Sequence, residues 1–351
     1  MARSTSSKTI QKSRSGTPFV RRQWLRARAY YKAYVNDTPI WWQSDWAKAK
    51  PDEMAPGVEM IIFSKNRACQ LDQLIRSLVE FVEELDLFNI TIVYVADSKN
   101  FEEGYKLVQS EFRFLNFVEQ RSDQPIGQQV QNLLDASKKE FLCILVDDDV
   151  VIRRLSLRSP QFEIFRTDLS ISSLSIRLSR FITFCQPLGI AERPPYITKD
   201  GVFHWYVKPF WRLVRDVSRK FGQPQLGVGD WCVSMSMDGN FFRLSEFREY
   251  FRHLPEMKRF GDIELTMVRT PIPREYGICF DEAKLINLPL NSVRDDYKYP
   301  NMEINGQYLN GQLLSGHRLD YGHLRSINSS SCHLETAPGW IEPTPPSPKG
   351  G

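Results

Sequence analysis

The chain has 351 residues, 42% hydrophobic and 25% charged, enough for one large domain or two small ones around a sizeable core. Lysine and arginine total 46 against 42 for aspartate and glutamate, and the formal charge of +4 is too small to argue for a nucleic-acid partner. No apolar stretch approaches the roughly 20 residues of a membrane span or forms a signal peptide, and six singly placed cysteines in mostly apolar runs read as buried thiols of a reducing compartment, so a cytoplasmic location is expected.

Residues 1 to 20 are rich in Ser, Thr, Lys and Arg and read as disordered. Arg21 to Tyr34 reads as a basic helix with an aromatic face, followed by Trp41, Trp42 and Trp46. Such a segment can lie on an anionic membrane surface or pack its rings on the main domain, which makes residues 21–46 a candidate for peripheral membrane contact. The extension ends near residue 56.

From 57 to 150 strands and helices alternate. Val58 to Phe63 is a short apolar strand, and Gln70 to Leu85 carries Leu71, Leu74, Ile75, Leu78, Val79 and Val82 at the spacing of an amphipathic helix. Ile90 to Val95, Phe114 to Val118 and Phe141 to Val146 follow as strands, with helices over Phe101 to Phe112 and Ile126 to Ser137. That rhythm predicts an α/β fold with a mostly parallel sheet flanked by helices, whose ligands bind at the carboxyl ends of the strands. Ser64, Lys65, Asn66, Arg67, Asp97, Ser98, Gln120, Arg121 and the acidic run Asp147-Asp148-Asp149 all fall there. Residues 151–335 lose the rhythm; Leu174 to Leu178 and Trp231 to Met237 read as strands, and the Pro- and Gly-rich stretch 336–351 reads as a mobile, disordered tail.

The acidic run carries the most chemistry. Alternation along an extended strand puts Asp147 and Asp149 on one side and Asp148 on the other. Two like charges beside a buried strand are costly unless a hard cation or several donors share them, and oxygen-only ligands favour magnesium, manganese or calcium over zinc. The bland alternative is an acidic turn that caps the next element.

In order and spacing these pieces resemble the GT-A glycosyltransferases, the nucleotide-sugar-dependent enzymes of the large family 2 group, from about Val58 to Asp296. The matching parts are Ile61 to Arg67, Val95-Ala96-Asp97-Ser98, Asp147-Asp148-Asp149 in the place of the DxD motif, and Phe260-Gly261-Asp262-Ile263-Glu264-Leu265 near the segment that supplies the base. The resemblance implies a Rossmann-like GT-A fold with a nucleotide-sugar half at 57–150 and an acceptor-binding, catalytic half at 151–335. It implies a donor site drawn from Ser64, Lys65, Arg67, Asp97, Arg121, Gln131, Asp147, Asp148, Asp238, Gly239 and Asn240. Asp147 and Asp149 would hold Mn2+ or Mg2+, and the third ligand is unassigned, since Leu285 to Asn291 offers no histidine and His317 and His323 come later.

Transfer that inverts the sugar requires a carboxylate to take the acceptor's proton, and Asp262 matches the family's base, with Glu264 as the fallback because Gly261 replaces the usual glutamate before it. His204, Trp205 and Trp231 could stack on an acceptor, either a glycan or a lipid-linked one, or pack in the core. The expected activity is metal-dependent transfer of a sugar, most naturally from a UDP-sugar. Two alternatives stay open: a phosphatase of the haloacid dehalogenase type with Asp147 as nucleophile, and a non-catalytic carbohydrate-binding protein of the same fold. Each site residue also has a plainer reading, such as a helix cap at Asp97-Ser98 or Asp262, or a tight turn at Asp238-Gly239.

Overall fold

A computed structural model describes residues 54–343 apart from 122, 195, 200–201, 207–224, 227–228, 234, 255, 270–273, 275, 294–299 and 326. The N-terminal extension, with its basic aromatic helix, its three tryptophans and the membrane contact suggested for 21–46, lies outside the described residues, as does 344–351.

Four strands open the fold: β1 (Ala55–Lys65), β2 (Phe88–Val95), β3 (Asn116–Glu119) and β4 (Lys139–Val146). They pair parallel in the order β3-β2-β1-β4, the arrangement that alternating strands and helices impose. Along β1 the side chains alternate between two cores. Met60 and Ile62 pack with Leu71, Leu74 and Leu78 of the helix Ala68–Phe81 on one face, while Ile61 and Phe63 pack with Val130 and Leu134 of the helix Ile126–Ala136 on the other. A strand buried on both faces reads as an unbroken apolar run, which is why Val58 to Phe63 is so legible.

The first helix stops four residues before its apolar spacing suggests. Val82 leaves helical geometry to bridge Leu155, and Leu155 in turn donates its N–H to the Phe81 carbonyl at 2.9 Å. A tertiary backbone partner outweighs local periodicity here. The helix Lys99–Glu111 starts where Ser98 accepts the Phe101 N–H, so Ser98 is a cap.

After β4 come β5 (Asp149–Val151), β6 (Ile171–Ser175), β7 (Phe184–Cys185), β8 (Ile190–Arg193), β9 (Tyr196–Lys199), β10 (Val202–Tyr206), β11 (Gln225–Leu226), β12 (Asn240–Arg243), β13 (Tyr276–Cys279), β14 (Leu285–Asn287), β15 (Arg318–Asp320) and β16 (Gly339–Ile341). Among the described residues one sheet runs through both halves of the chain in the order β3-β2-β1-β4-β12-β6-β13-β10-β9, with β12 antiparallel to β4. The strand expected over Trp231 to Met237 is absent; that stretch is a 3-10 turn at Gly229–Cys232 followed by bends. Its ends explain why. Asp230 and Asp238 both bond Arg177, at 3.0 Å each, whereas eight extended residues would separate them by about 26 Å.

Order also reaches into the stretch read as a mobile tail. Gly339–Ile341 pairs antiparallel with β15, and the Trp340 ring meets Tyr308 and His317 edge-on. The five cysteines whose side chains are described, Cys69, Cys143, Cys185, Cys279 and Cys332, are all free and buried. No helix among the described residues is long and apolar enough to cross a membrane.

Candidate functional site

The carboxyl ends of β1, β2 and β4 open on a cavity of about 650 Å³. Ser64, Lys65, Arg67, Gln120, Asp147 and Asp148 line its strand-end side. Arg177, Asp230, Asp238, Arg259, Glu264 and His333 line the rest.

Asp147 and Asp149 do not share a side, contrary to the alternation rule, because β4 ends at Val146 and the chain turns at once. Asp147 and Asp148 form the turn and both grip Arg67, whose Nη1 donates to Asp147 Oδ1 at 2.9 Å and to Asp148 Oδ2 at 2.8 Å. Asp149 is fully buried; its carboxylate accepts the Val146 N–H at 3.0 Å and the Asn287 side-chain amide at 3.3 Å, so it closes the turn instead of facing the cavity. Burial raises its carboxyl well above the usual range. Burial likewise pushes Asp147 up to about 6, against the pull of Arg67.

Arg67 is itself fixed from behind. Its Nε donates to Asn291 Oδ1 at 2.8 Å, and its Nη2 donates to the Asn291 carbonyl. The remaining oxygens of the turn are also taken: Asp147 Oδ2 accepts the Lys65 N–H at 3.1 Å, and Asp148 Oδ1 accepts the Asn287 amide at 2.9 Å. Ser64 Oγ lies 2.6 Å from Tyr105 Oη, which also accepts the Arg67 N–H at 3.2 Å. This is a preorganised polar floor, in which each carboxylate oxygen meets a defined donor.

The other wall rests on the buried Arg177, bridging Asp230 and Asp238. Burial pushes Asp238 up to about 6, with Arg177 pulling it down and Glu264 pushing it up. The helix Phe260–Arg269 adds Arg259 and Gly261 around its start and Glu264 one turn in, and Phe260 stacks near Phe63 with ring centroids 4.6 Å apart. His333 is carried beside Asn287, whose N–H and C=O bond the flanking Cys332 carbonyl and Leu334 N–H at 2.9 Å each. Burial holds the His333 imidazole below its ordinary pKa, against the upward pull of Asp230.

Several expected site residues stand elsewhere. Asp262 does not line the cavity. It is the third residue of its helix and accepts the Arg259 N–H at 3.0 Å and the Lys258 N–H at 3.3 Å, which is half of a capping box. Burial works upward on its carboxyl, but those N–H groups and the Arg259 guanidinium outweigh it and hold it below the usual range. Asp97 sits outside the lining, clasped by the Asn66 amide at 2.9 Å and Lys65 Nζ at 3.2 Å. Arg121 pairs with Asp123 on the surface, and Gln131 bonds Asp135 one helical turn on.

Gly239, at φ 67°, makes the turn into β12, and Asn240 is buried with its amide on the Ser236 carbonyl. Among the aromatic residues, Trp231 and His204 are each 1% exposed, Trp231 donating to the Ile182 carbonyl and His204 facing the Val202 carbonyl, so both belong to the core. The Trp205 side chain lies outside the described residues. His317 pairs with Glu342 and His323 with Asp320, away from the cavity.

The donor set offered to an ion is oxygen, from Asp147 and Asp148, which suits Mg2+ or Mn2+. Among the described residues no three His, Cys, Asp or Glu side chains come together to hold one. The described residues thus supply two carboxylates here, a number that fits an ion completing its shell with phosphate and water.

No family model matches the chain. Over 136 residues it is 24% identical to the bifunctional glycosyltransferase pgtA of Dictyostelium discoideum, a stretch covering 37% of this chain and 17% of that protein. The resemblance is to glycosyltransferases. Among solved structures, S. aureus TarS (residues 1–349) is similar at 12% identity and a TM-score of 0.41, over 65% of this chain and 59% of that one. The mannosyltransferase PcManGT from Pyrobaculum calidifontis, in complex with GDP-Man and Mn2+, is similar at 16% identity and a TM-score of 0.27, over 45% of this chain and 48% of that one. This chain therefore spans less than two thirds of each of these relatives.

Proposed function

We propose that the chain is a glycosyltransferase that moves a sugar from a nucleotide-sugar donor to an acceptor hydroxyl in this cavity. The observation that carries the reading is the turn Asp147-Asp148 at the end of a parallel strand, held by Arg67 on the floor of a cavity whose wall presents Glu264. The relatives support it in kind: one is a bifunctional glycosyltransferase, and TarS has been solved with UDP-GlcNAc and with UDP.

Val93, Val95 and Gln120 offer an apolar slot with a polar rim for the nucleobase, and Lys65 brings positive charge to the strand ends. Asp147 and Asp148 would hold Mn2+ or Mg2+ together with the diphosphate, where the ion's charge supports departure of the leaving group. Asp238, oriented by Arg177, presents an acceptor for sugar hydroxyls. Glu264 is the carboxylate placed to take the acceptor's proton, since Asp262 is committed to its helix cap and held at low basicity. A single base of this kind serves an inverting transfer.

Release of nucleoside diphosphate from a panel of UDP-, GDP-, CMP- and dTDP-sugars, with and without Mn2+, tests the reading. One donor class should be turned over by the wild type and lost in Asp148→Asn. Absence of turnover and of binding across the panel, with a folded protein, contradicts it.

A further inference from the structure

The two carboxylates offered to an ion already hold a cation. Arg67 is 5% exposed, and its Nη1 lies within 2.9 Å of both Asp147 and Asp148, while Asn291 fixes the other end of the guanidinium. A divalent ion on those oxygens would press its charge against a tethered guanidinium that cannot diffuse away, in a partly desolvated site where like charges repel strongly. Dislodging Arg67 also breaks its four buried side-chain hydrogen bonds.

We propose that Arg67 is a built-in counter-ion that competes with the divalent ion for Asp147 and Asp148, so that the free protein excludes the ion and admits it only together with the diphosphate. A divalent ion and a guanidinium together outweigh two carboxylates, and the diphosphate supplies the negative charge that offsets the surplus. Arg67 is thus a positioning residue that orders the turn in the free protein and couples ion entry to donor entry. The inference rests on the donor reading for its purpose, but its test uses Mn2+ alone.

Free Mn2+ is followed by electron spin resonance in the absence of nucleotide, with wild type, Arg67→Met, Arg67→Lys and Arg67→Met/Asp148→Asn. Wild type should bind negligibly. Arg67→Met keeps the aliphatic stem but leaves two carboxylates unpaired, so it should bind Mn2+ roughly tenfold or more tightly, and Mn2+ should raise its melting temperature and not that of wild type. The double variant should lose that gain. Arg67→Lys retains the charge without the fork and should gain less.

Should Arg67→Met not fold, the wild-type and Arg67→Lys titrations decide: equal, tight binding by both overturns the proposal. A folded Arg67→Met with no gain overturns it too. If the gain appears while no nucleotide sugar binds, the donor reading fails and the counter-ion role stands. A donor that binds without any such gain leaves the donor reading intact and removes the counter-ion role.

Discussion

The two sides of the cavity are built differently. Ser64, Lys65, Asp147 and Asp148 project from the ends of adjacent parallel strands, so the backbone pairing of β1 with β2 and β4 sets their spacing before any side chain contributes. Arg177, Asp230, Asp238, Glu264 and His333 come from two bends, a 3-10 turn, a helix and a late segment, and they are gathered by one buried guanidinium, by helix docking and by the backbone bonds of Asn287 to Cys332 and Leu334. On the first side secondary structure sets the spacing and Arg67 holds the turn, whereas on the second side-chain contacts between distant segments do most of the work. Replacing one turn carboxylate by its amide on the first side should therefore cost ligand binding more than stability, because Arg67 keeps its other carboxylate, while a lesion at the centre of the second side should reach both stability and chemistry.

The largest expected effect breaks that second side at its centre. Arg177→Met leaves Asp230 and Asp238 buried without their cation, a loss of about 3–5 kcal/mol of unfolding free energy. Urea titration measures it. A change below about 1 kcal/mol would mean that the wall does not depend on the ion pair.

Next comes a pair on one helix. Glu264→Gln removes the carboxylate that faces the cavity, so turnover should fall roughly 10²-fold or more while donor affinity stays close to wild type. Asp262→Asn should leave turnover within a few-fold and cost less than about 1 kcal/mol of stability, since the amide oxygen can still accept the Arg259 N–H. If the turnover defects come in the opposite order, the helix turns Asp262 into the cavity during the reaction, and the base is reassigned.

A further prediction concerns pH. Glu192, buried beside Asp230, is pushed from 4.5 up to about 9, chiefly by burial and then by the Asp230 charge. Its folded pKa exceeds its unfolded one, so the folded state retains a proton that the unfolded state releases, and stability falls as pH rises between those two values. Glu192→Gln cannot release that proton. Its melting temperature should decline less from about pH 6 to about pH 9 than that of wild type. Parallel curves would show that the residue titrates alike in both states.

The same contrast governs what could be read from the sequence. Strands buried on both faces and helices with a 3.6-residue spacing announce themselves locally, and the placement of polar residues at strand ends follows from the parallel order. The turn at Asp147 escaped because strand alternation holds only while the strand lasts, and β4 ends one residue earlier. Asn291 meets Arg67 across 224 positions, a contact without local trace. Arg177 did carry a signal: a lone cation in the apolar run Leu174 to Leu178 has to find a buried partner. Trp231 and His204 were ambiguous in sequence, since an aromatic ring suits a core as well as a sugar face.

On this reading the strand-end side binds the diphosphate of a nucleotide sugar through Asp147 and Asp148. Calorimetric titration of UDP-GlcNAc and GDP-mannose with Mn2+ present, on wild type and on Asp148→Asn, tests it most directly. At least one donor should bind the wild type and lose roughly tenfold or more affinity in the variant, with both proteins melting at similar temperatures. Equal affinity in the two proteins, or no binding to either, contradicts the account.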